Sequence, residues 1–105
     1  MKSLKPSEVV DLIQSDNNVR LIDVREKWEY DIVHLPQSEL MPLSCFQAHL
    51  DKLNTEDKIL VYCHHGVRSI SVCNFLITNG FKNILNLSGG IDAWVDEVDQ
   101  NIKRY

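Results

Sequence analysis

The 105-residue chain lacks most of what would mark a special class of protein. Its longest unbroken apolar run, Ile59 to Cys63, is five residues, far short of the ~20 that span a bilayer. The opening Met1-Lys2-Ser3-Leu4-Lys5-Pro6 has no apolar stretch of the secretory kind. The expectation is a cytoplasmic protein with no membrane partner. No run of Lys and Arg occurs, and 15 acidic against 11 basic side chains leave a net charge of -4. A nucleic-acid partner, which calls for a basic face, is not expected. Three cysteines are too few, and odd in number, for a disulfide framework. Four glycines and three prolines form no linker, and no repeat is visible. The remaining composition, 44% hydrophobic and 25% charged, is that of one ordinary globular domain over 1–105.

Helical and extended patterns alternate along the chain. Pro6 to Gln14 reads as a helix, with Val9, Leu12 and Ile13 on one face. Val19 to Val24 is extended, Glu26 to Ile32 a short helix, and Glu39 to Met41 a very short strand. Ser44 and Gln47 have capping-box spacing ahead of a helical stripe of Phe46, Leu50 and Leu53. Lys58 to Tyr62 reads as a strand buried on both faces. Ser69 to Thr78 is helical up to Asn79-Gly80, Asn83 to Asn86 extended, and Ile91 to Val98 helical. The charged stretch 99–105 is expected to fray, with Ile102 and Tyr105 able to pack. Such alternation predicts an α/β fold with a mainly parallel sheet. Sites in such folds lie beyond the carboxyl ends of the strands. Two junctions qualify: Asp23-Val24-Arg25-Glu26, and Cys63 to Ser69.

Cys63 follows the most apolar strand directly and is the candidate nucleophile. A turn that aims successive N–H groups inward makes an anion nest, and the following helix adds its positive end. Both favour thiolate over thiol. Gly66 suits a left-handed turn position, and Arg68 supplies a permanent cation. His64 and His65 flank the opening and are expected to add partial positive charge. An anionic substrate fits the contrast of a cationic mouth on an acidic chain, and the loop residues His64, His65, Gly66, Val67, Arg68 and Ser69 are the candidates to line its site. Asp23 and Arg25 read as support for this loop or as an ion pair at the other junction. Cys73 reads as a core residue, Cys45 as an ordinary helix residue, and Trp28 and Trp94 as packing residues. Glu26, Glu29 and Asp31 read as a solvated helix face. No metal is expected: Cys63-His64-His65 are adjacent, and no C-x-x-C or H-x-x-x-H pair exists.

Three motifs carry a family resemblance: Leu21-Ile22-Asp23-Val24-Arg25-Glu26 with Trp28-Glu29-Tyr30, His34 and Pro36; Val61 to Ser69; and Leu87-Ser88-Gly89-Gly90-Ile91-Asp92-Ala93-Trp94. Together, and in this order, they resemble a single-domain rhodanese-like sulfurtransferase. The resemblance implies a five-stranded, mostly parallel sheet flanked by helices on both faces. It implies that Cys63 takes a sulfane sulfur from a thiosulfate-like donor, holds it as a persulfide and passes it to a thiol or cyanide, with no cofactor. Arg68 and the loop amides would bind the donor. An alternative role is a persulfide relay serving a partner protein in cofactor or tRNA thiolation; redox sensing by the same thiol is a third. Related cysteine phosphatases place five residues between Cys and Arg, whereas four lie between Cys63 and Arg68, a tighter nest that by the resemblance suits sulfur. One segment departs from the family. Where members carry an Ile-Pro-Gly-Ala-like stretch, this chain has Leu35-Pro36-Gln37-Ser38, continuing to Pro42, which predicts a different turn.

Overall fold

The computed structural model describes all residues from Met1 to Tyr105. Five strands form one sheet: β1 (Lys2–Leu4), β2 (Arg20–Asp23), β3 (Glu39–Leu40), β4 (Lys58–Tyr62) and β5 (Asn83–Leu87). Their order is β1-β5-β4-β2-β3, and every pairing is parallel. Four α-helices accompany them, three between strands and one after β5: α1 (Pro6–Ser15), α2 (Lys27–Ile32), α3 (Val67–Thr78) and α4 (Gly90–Glu97). A 3₁₀ region, Leu43–Lys52, links β3 to β4. No helix is long and apolar enough to cross a membrane.

The two-residue period of the strands sorts the core into two layers. Ile59 and Val61 of β4 face one way, against Phe46, Val72, Cys73 and Leu76. Leu60 and Tyr62 face the other way, against Val9, Ile91 and Trp94. Helices α3 and the 3₁₀ region thus cover one face of the sheet, and α1 and α4 the other. Cys63 continues the β4 alternation and falls on the α3 side. The central strand β4 is buried along nearly its whole length, as its apolar run predicts.

The structure adds one strand that the sequence does not signal and corrects one helix cap. Strand β1 carries no periodic signal; it forms because Lys2 to Leu4 pair with Leu85 to Leu87 of β5. The Ser44/Gln47 capping box does not form. Pro42 stands at the start of the 3₁₀ region, Cys45 breaks its geometry (φ −136°, ψ 29°), and the Ser44 hydroxyl donates to Glu26 Oε1 at 2.7 Å. Cys45 is therefore an exposed thiol at a kink rather than a helix residue. The Phe46, Leu50 and Leu53 stripe nevertheless packs on the α3-side core.

The segment 35–42, which departs from the family stretch, turns at Pro36 and Gln37. The turn is made without glycine: Ser38 N–H donates to Leu35 O at 3.2 Å and Gln37 takes φ 66°. Proline followed by a residue of positive φ is the pattern of a type II turn. Gln37 thus occupies the left-handed position that glycine fills most easily. The Tyr62 hydroxyl pins this turn from below, accepting Leu35 N–H at 3.1 Å and donating to Ser38 Oγ at 3.0 Å.

Candidate functional site

Beyond the end of β4 the chain turns sharply and enters α3. Gly66, at φ 101°, immediately precedes the helix. This left-handed conformation swings its N–H back onto the Cys63 sulfur, Sγ, at 3.0 Å. The Ser69 N–H, in the first turn of α3, reaches the same sulfur at 3.4 Å. Cys63 is only 1% exposed, yet its sulfur is met by main-chain donors rather than by hydrocarbon alone. Two N–H groups thus converge on that sulfur at the N-terminus of α3.

The loop is held from behind by α4. Ile91 N–H donates to Cys63 O at 2.9 Å, and Asp92 N–H to His64 O at 3.0 Å. Gly90 makes this contact feasible: a methyl group there would collide with the carbonyls of Cys63 and His64. Gly90 therefore sets how closely α4 approaches the loop.

A polar chain runs inward from the thiol. Cys63 Sγ lies 3.5 Å from Ser69 Oγ, which donates to Asn86 Oδ1 at 2.5 Å. The Asn86 amide donates to Ser3 Oγ at 3.3 Å. The single Ser69 proton is contested by Asn86 Oδ1, by Gly66 O at 3.2 Å, and by the sulfur when it is ionised. Asn86 was legible as a strand residue but not as a site residue. Its signal is alternation: Asn86 shares the face of Ile84, which is core.

Arg68 does not stand free. Its guanidinium forms two parallel bonds to Glu29, at 2.7 and 2.8 Å. Glu29 is buried, contrary to the reading of a solvated face. The Arg68 partnership, together with N–H donation from Glu26, holds its carboxyl down at about 2. The misreading has a clear origin. In Lys27–Ile32 the apolar residues alternate, so helical periodicity names no inward face. Trp28, expected to pack, is 62% exposed, whereas Trp94 is buried as expected.

Asp23 and Arg25 are both fully buried and paired. Arg25 clamps the carboxylate through Nε and a terminal nitrogen, at 2.7 to 3.1 Å. Its other terminal nitrogen donates to the Tyr105 hydroxyl at 2.7 Å. Tyr105 in turn donates to Glu29 Oε2 at 2.7 Å. The two strand-end junctions are thereby wired together as Asp23–Arg25–Tyr105–Glu29–Arg68. Burial pushes the Tyr105 phenol up to about 12, so it keeps its proton as a donor. Tyr105 packs, as its stretch allowed, and Ile102 lies against the α1/α4-side core.

The histidines are brought together at the rim. The His64 ring stacks between His65 at 3.9 Å and Tyr105 at 4.0 Å. Burial, with His65 alongside, lowers the His64 imidazole below its ordinary value. The partial charge expected on His64 near neutrality is therefore reduced. His65 is mostly exposed, 3.9 Å from Asp92. One ligand atom each from His64, His65 and Asp92 lie within 4.8 Å of one another, but Asp92 already accepts from Arg104 at 2.9 Å. Val67 is exposed beside the loop. Cys73 is buried in the core, and burial pushes its thiol up to about 12.

Comparison with known proteins agrees with this geometry. The Rhodanese-like domain family model matches residues 5–97. The thiosulfate sulfurtransferase GlpE of Coxiella burnetii is 30% identical over 93 residues, which are 89% of this chain and 86% of that protein. A Mycobacterium tuberculosis protein described as "Probable adenylyltransferase/sulfurtransferase MoeZ" is 33% identical over 105 residues, 98% of this chain but 27% of its own length. The chain thus spans little more than a quarter of that relative. A crystal structure of a rhodanese-like domain protein from Staphylococcus aureus superposes with a TM-score of 0.85 at 28% identity, covering 100% of this chain and 99% of the other. The five-stranded parallel sheet, the Cys63 loop and these matches identify the chain as a member of the rhodanese-like family.

Proposed function

We propose that this protein moves a sulfane sulfur from a small anionic donor of the thiosulfate kind to a thiol or cyanide acceptor, with Cys63 as the carrier. The observation that carries the reading is the pair of N–H groups, from Gly66 and Ser69, converging on the Cys63 sulfur at 3.0 and 3.4 Å. The Cys63 thiolate attacks the outer sulfur of thiosulfate. A Cys63–S bond forms, the S–S bond of the donor breaks, and sulfite leaves with the electron pair. An acceptor thiolate or cyanide then attacks the outer sulfur of the Cys63 persulfide, and Cys63 leaves as thiolate. The two displacements balance without a redox partner and follow the logic of covalent catalysis. The loop amides stabilise negative sulfur in both resting states without reorganising. Arg68 and the rim residues His64, His65 and Val67 border the approach of the donor.

The test is intact mass after incubation with thiosulfate. Wild type gains the mass of one sulfur atom and Cys63→Ser does not. No uptake by wild type, or phosphate-ester hydrolysis that vanishes with Cys63, overturns the reading.

A second reading, a persulfide relay between proteins, is favoured by the Glu29–Arg68 pair. Because Glu29 occupies the guanidinium, little free positive charge is left to attract thiosulfate. A persulfide delivered by a protein needs less of it. Sulfur uptake from a cysteine desulfurase but not from thiosulfate would select this reading.

A further inference from the structure

Tyr105 touches, directly or through one partner, both ends of the Cys63 loop. At one end its ring stacks flat on His64, the residue after Cys63, with centroids 4.0 Å apart and planes 10° apart. At the other end its hydroxyl donates to Glu29, whose carboxylate grips Arg68. Trp28 meets the same ring edge-on at 6.1 Å. We propose that Tyr105 is a size-selecting residue of the site: its ring roofs the Cys63 loop, admits small sulfur compounds, and must lift before a thiol borne on a protein or peptide reaches Cys63.

Three features fit a roof that lifts. Residues 98–105 contain no regular helix or strand, so no ladder of backbone bonds opposes displacement. Besides the Tyr105 hydroxyl bonds to Arg25 and Glu29, which water can replace once the ring lifts, the segment is tethered by Arg104 to Asp92 and Asp96, at 2.9 and 2.6 Å, and all three of these side chains reach solvent. Exposed ion pairs of this kind are individually weak. The groups beneath do not depend on Tyr105 for their charge balance, since Asp23 with Arg25 and Glu29 with Arg68 are each paired already. Lifting the ring leaves no buried charge without its counter-ion.

The inference rests on Cys63 being the reacting thiol, and its test separates that reading from this one. In a Cys45→Ser background, which removes the exposed competing thiol, Cys63 is alkylated with iodoacetamide and with a bulky biotinylated maleimide. Mass spectrometry of the Cys63 peptide gives both rates. For Tyr105→Ala the ratio of bulky to small reagent rates should rise about tenfold, equivalent to about 1.4 kcal/mol of closure. Tyr105→Phe keeps the ring and should fall between wild type and Tyr105→Ala. Thermal melts establish that each variant is folded. A ratio unchanged in a folded Tyr105→Ala, or a rise shared equally by both reagents, overturns the inference. Alkylation needs no sulfur transfer. A protein that shows the selectivity but takes up no sulfur keeps this inference and loses the proposed function; one that takes up sulfur without the selectivity does the reverse.

Discussion

The Arg68 guanidinium and the Glu29 carboxylate lie face to face, joined by two bonds of 2.7 and 2.8 Å at the rim of the Cys63 loop. The cation expected to meet an incoming anion already has a buried counter-ion, so the charge of the approach depends on both residues.

This pairing gives opposite kinetic outcomes for its two members. Arg68→Ala leaves Glu29 as an unopposed negative charge and should lower kcat/KM for thiosulfate by about 10- to 100-fold, the scale of a lost charged hydrogen bond. Glu29→Gln leaves Arg68 with a net charge and should lower KM for thiosulfate several-fold. Burial lowers the His64 imidazole and so reduces its charge, and His64→Ala should cost no more than about threefold. Steady-state assays of the three variants check the ranking. A larger loss for His64→Ala than for Arg68→Ala contradicts this electrostatic account.

The same pair sets an acid limit on stability. The Glu29 carboxyl is held at about 2 against an ordinary 4.5. A depressed carboxyl contributes stability that is complete above its unfolded value and is lost as pH falls through its folded value. The window is therefore about pH 4.5 down to 2. About a third of the Arg68 side chain is exposed, and solvent screening brings the contribution to about 2 kcal/mol. Urea midpoints at pH 6 and pH 3 should fall less in Glu29→Gln than in wild type.

Gly66 should tolerate no side chain. Its φ of 101° is strained for any L-residue, and a methyl there would sit 3.2 Å from Gly89 N. Gly66→Ala should cost about 1–3 kcal/mol in chemical denaturation. It should also slow sulfur uptake by Cys63, because relief of the strain turns the Gly66 N–H away from the sulfur.

The Ser69 hydroxyl sits among Cys63, Gly66 and Asn86, all buried. Ser69→Ala leaves Asn86 Oδ1 without its 2.5 Å donor. A thermal or urea melt should show a loss of about 1–3 kcal/mol, the cost of a buried acceptor left unpaired.

Gln37 offers the converse case. Its φ of 66° carries a penalty that glycine escapes, of about 1–2 kcal/mol. Glycine's larger unfolded-state entropy offsets part of it. Gln37→Gly should therefore stabilise by about 0.5 kcal/mol, and a lower melting temperature would show that the Gln37 side chain has a packing role.

Much of this architecture was legible because apolar runs and turn residues report local structure faithfully. Ile59 to Tyr62 announced the central strand, and Cys63 with Gly66 announced the loop. Partnerships between distant charged residues left no comparable trace. Glu29 looked like its solvated neighbours Glu26 and Asp31, since nothing local says that Arg68, 39 residues on, will reach it. Tyr105 sits in a charged, aperiodic stretch, and only the fold brings its hydroxyl to Arg25. Strand β1 was hidden for the same reason: its order comes from β5 rather than from its own three residues.

The bonds from Ile91 and Asp92 to the carbonyls of Cys63 and His64 have a bearing on protein engineering. They fix the peptide planes that open the Cys63 turn, so the sulfur's surroundings are shaped partly by a helix more than twenty residues downstream. Grafting residues 63–69 alone onto another parallel sheet would leave those planes free to rotate. A transplant that keeps the thiol reactive has to carry 88–92 along with it.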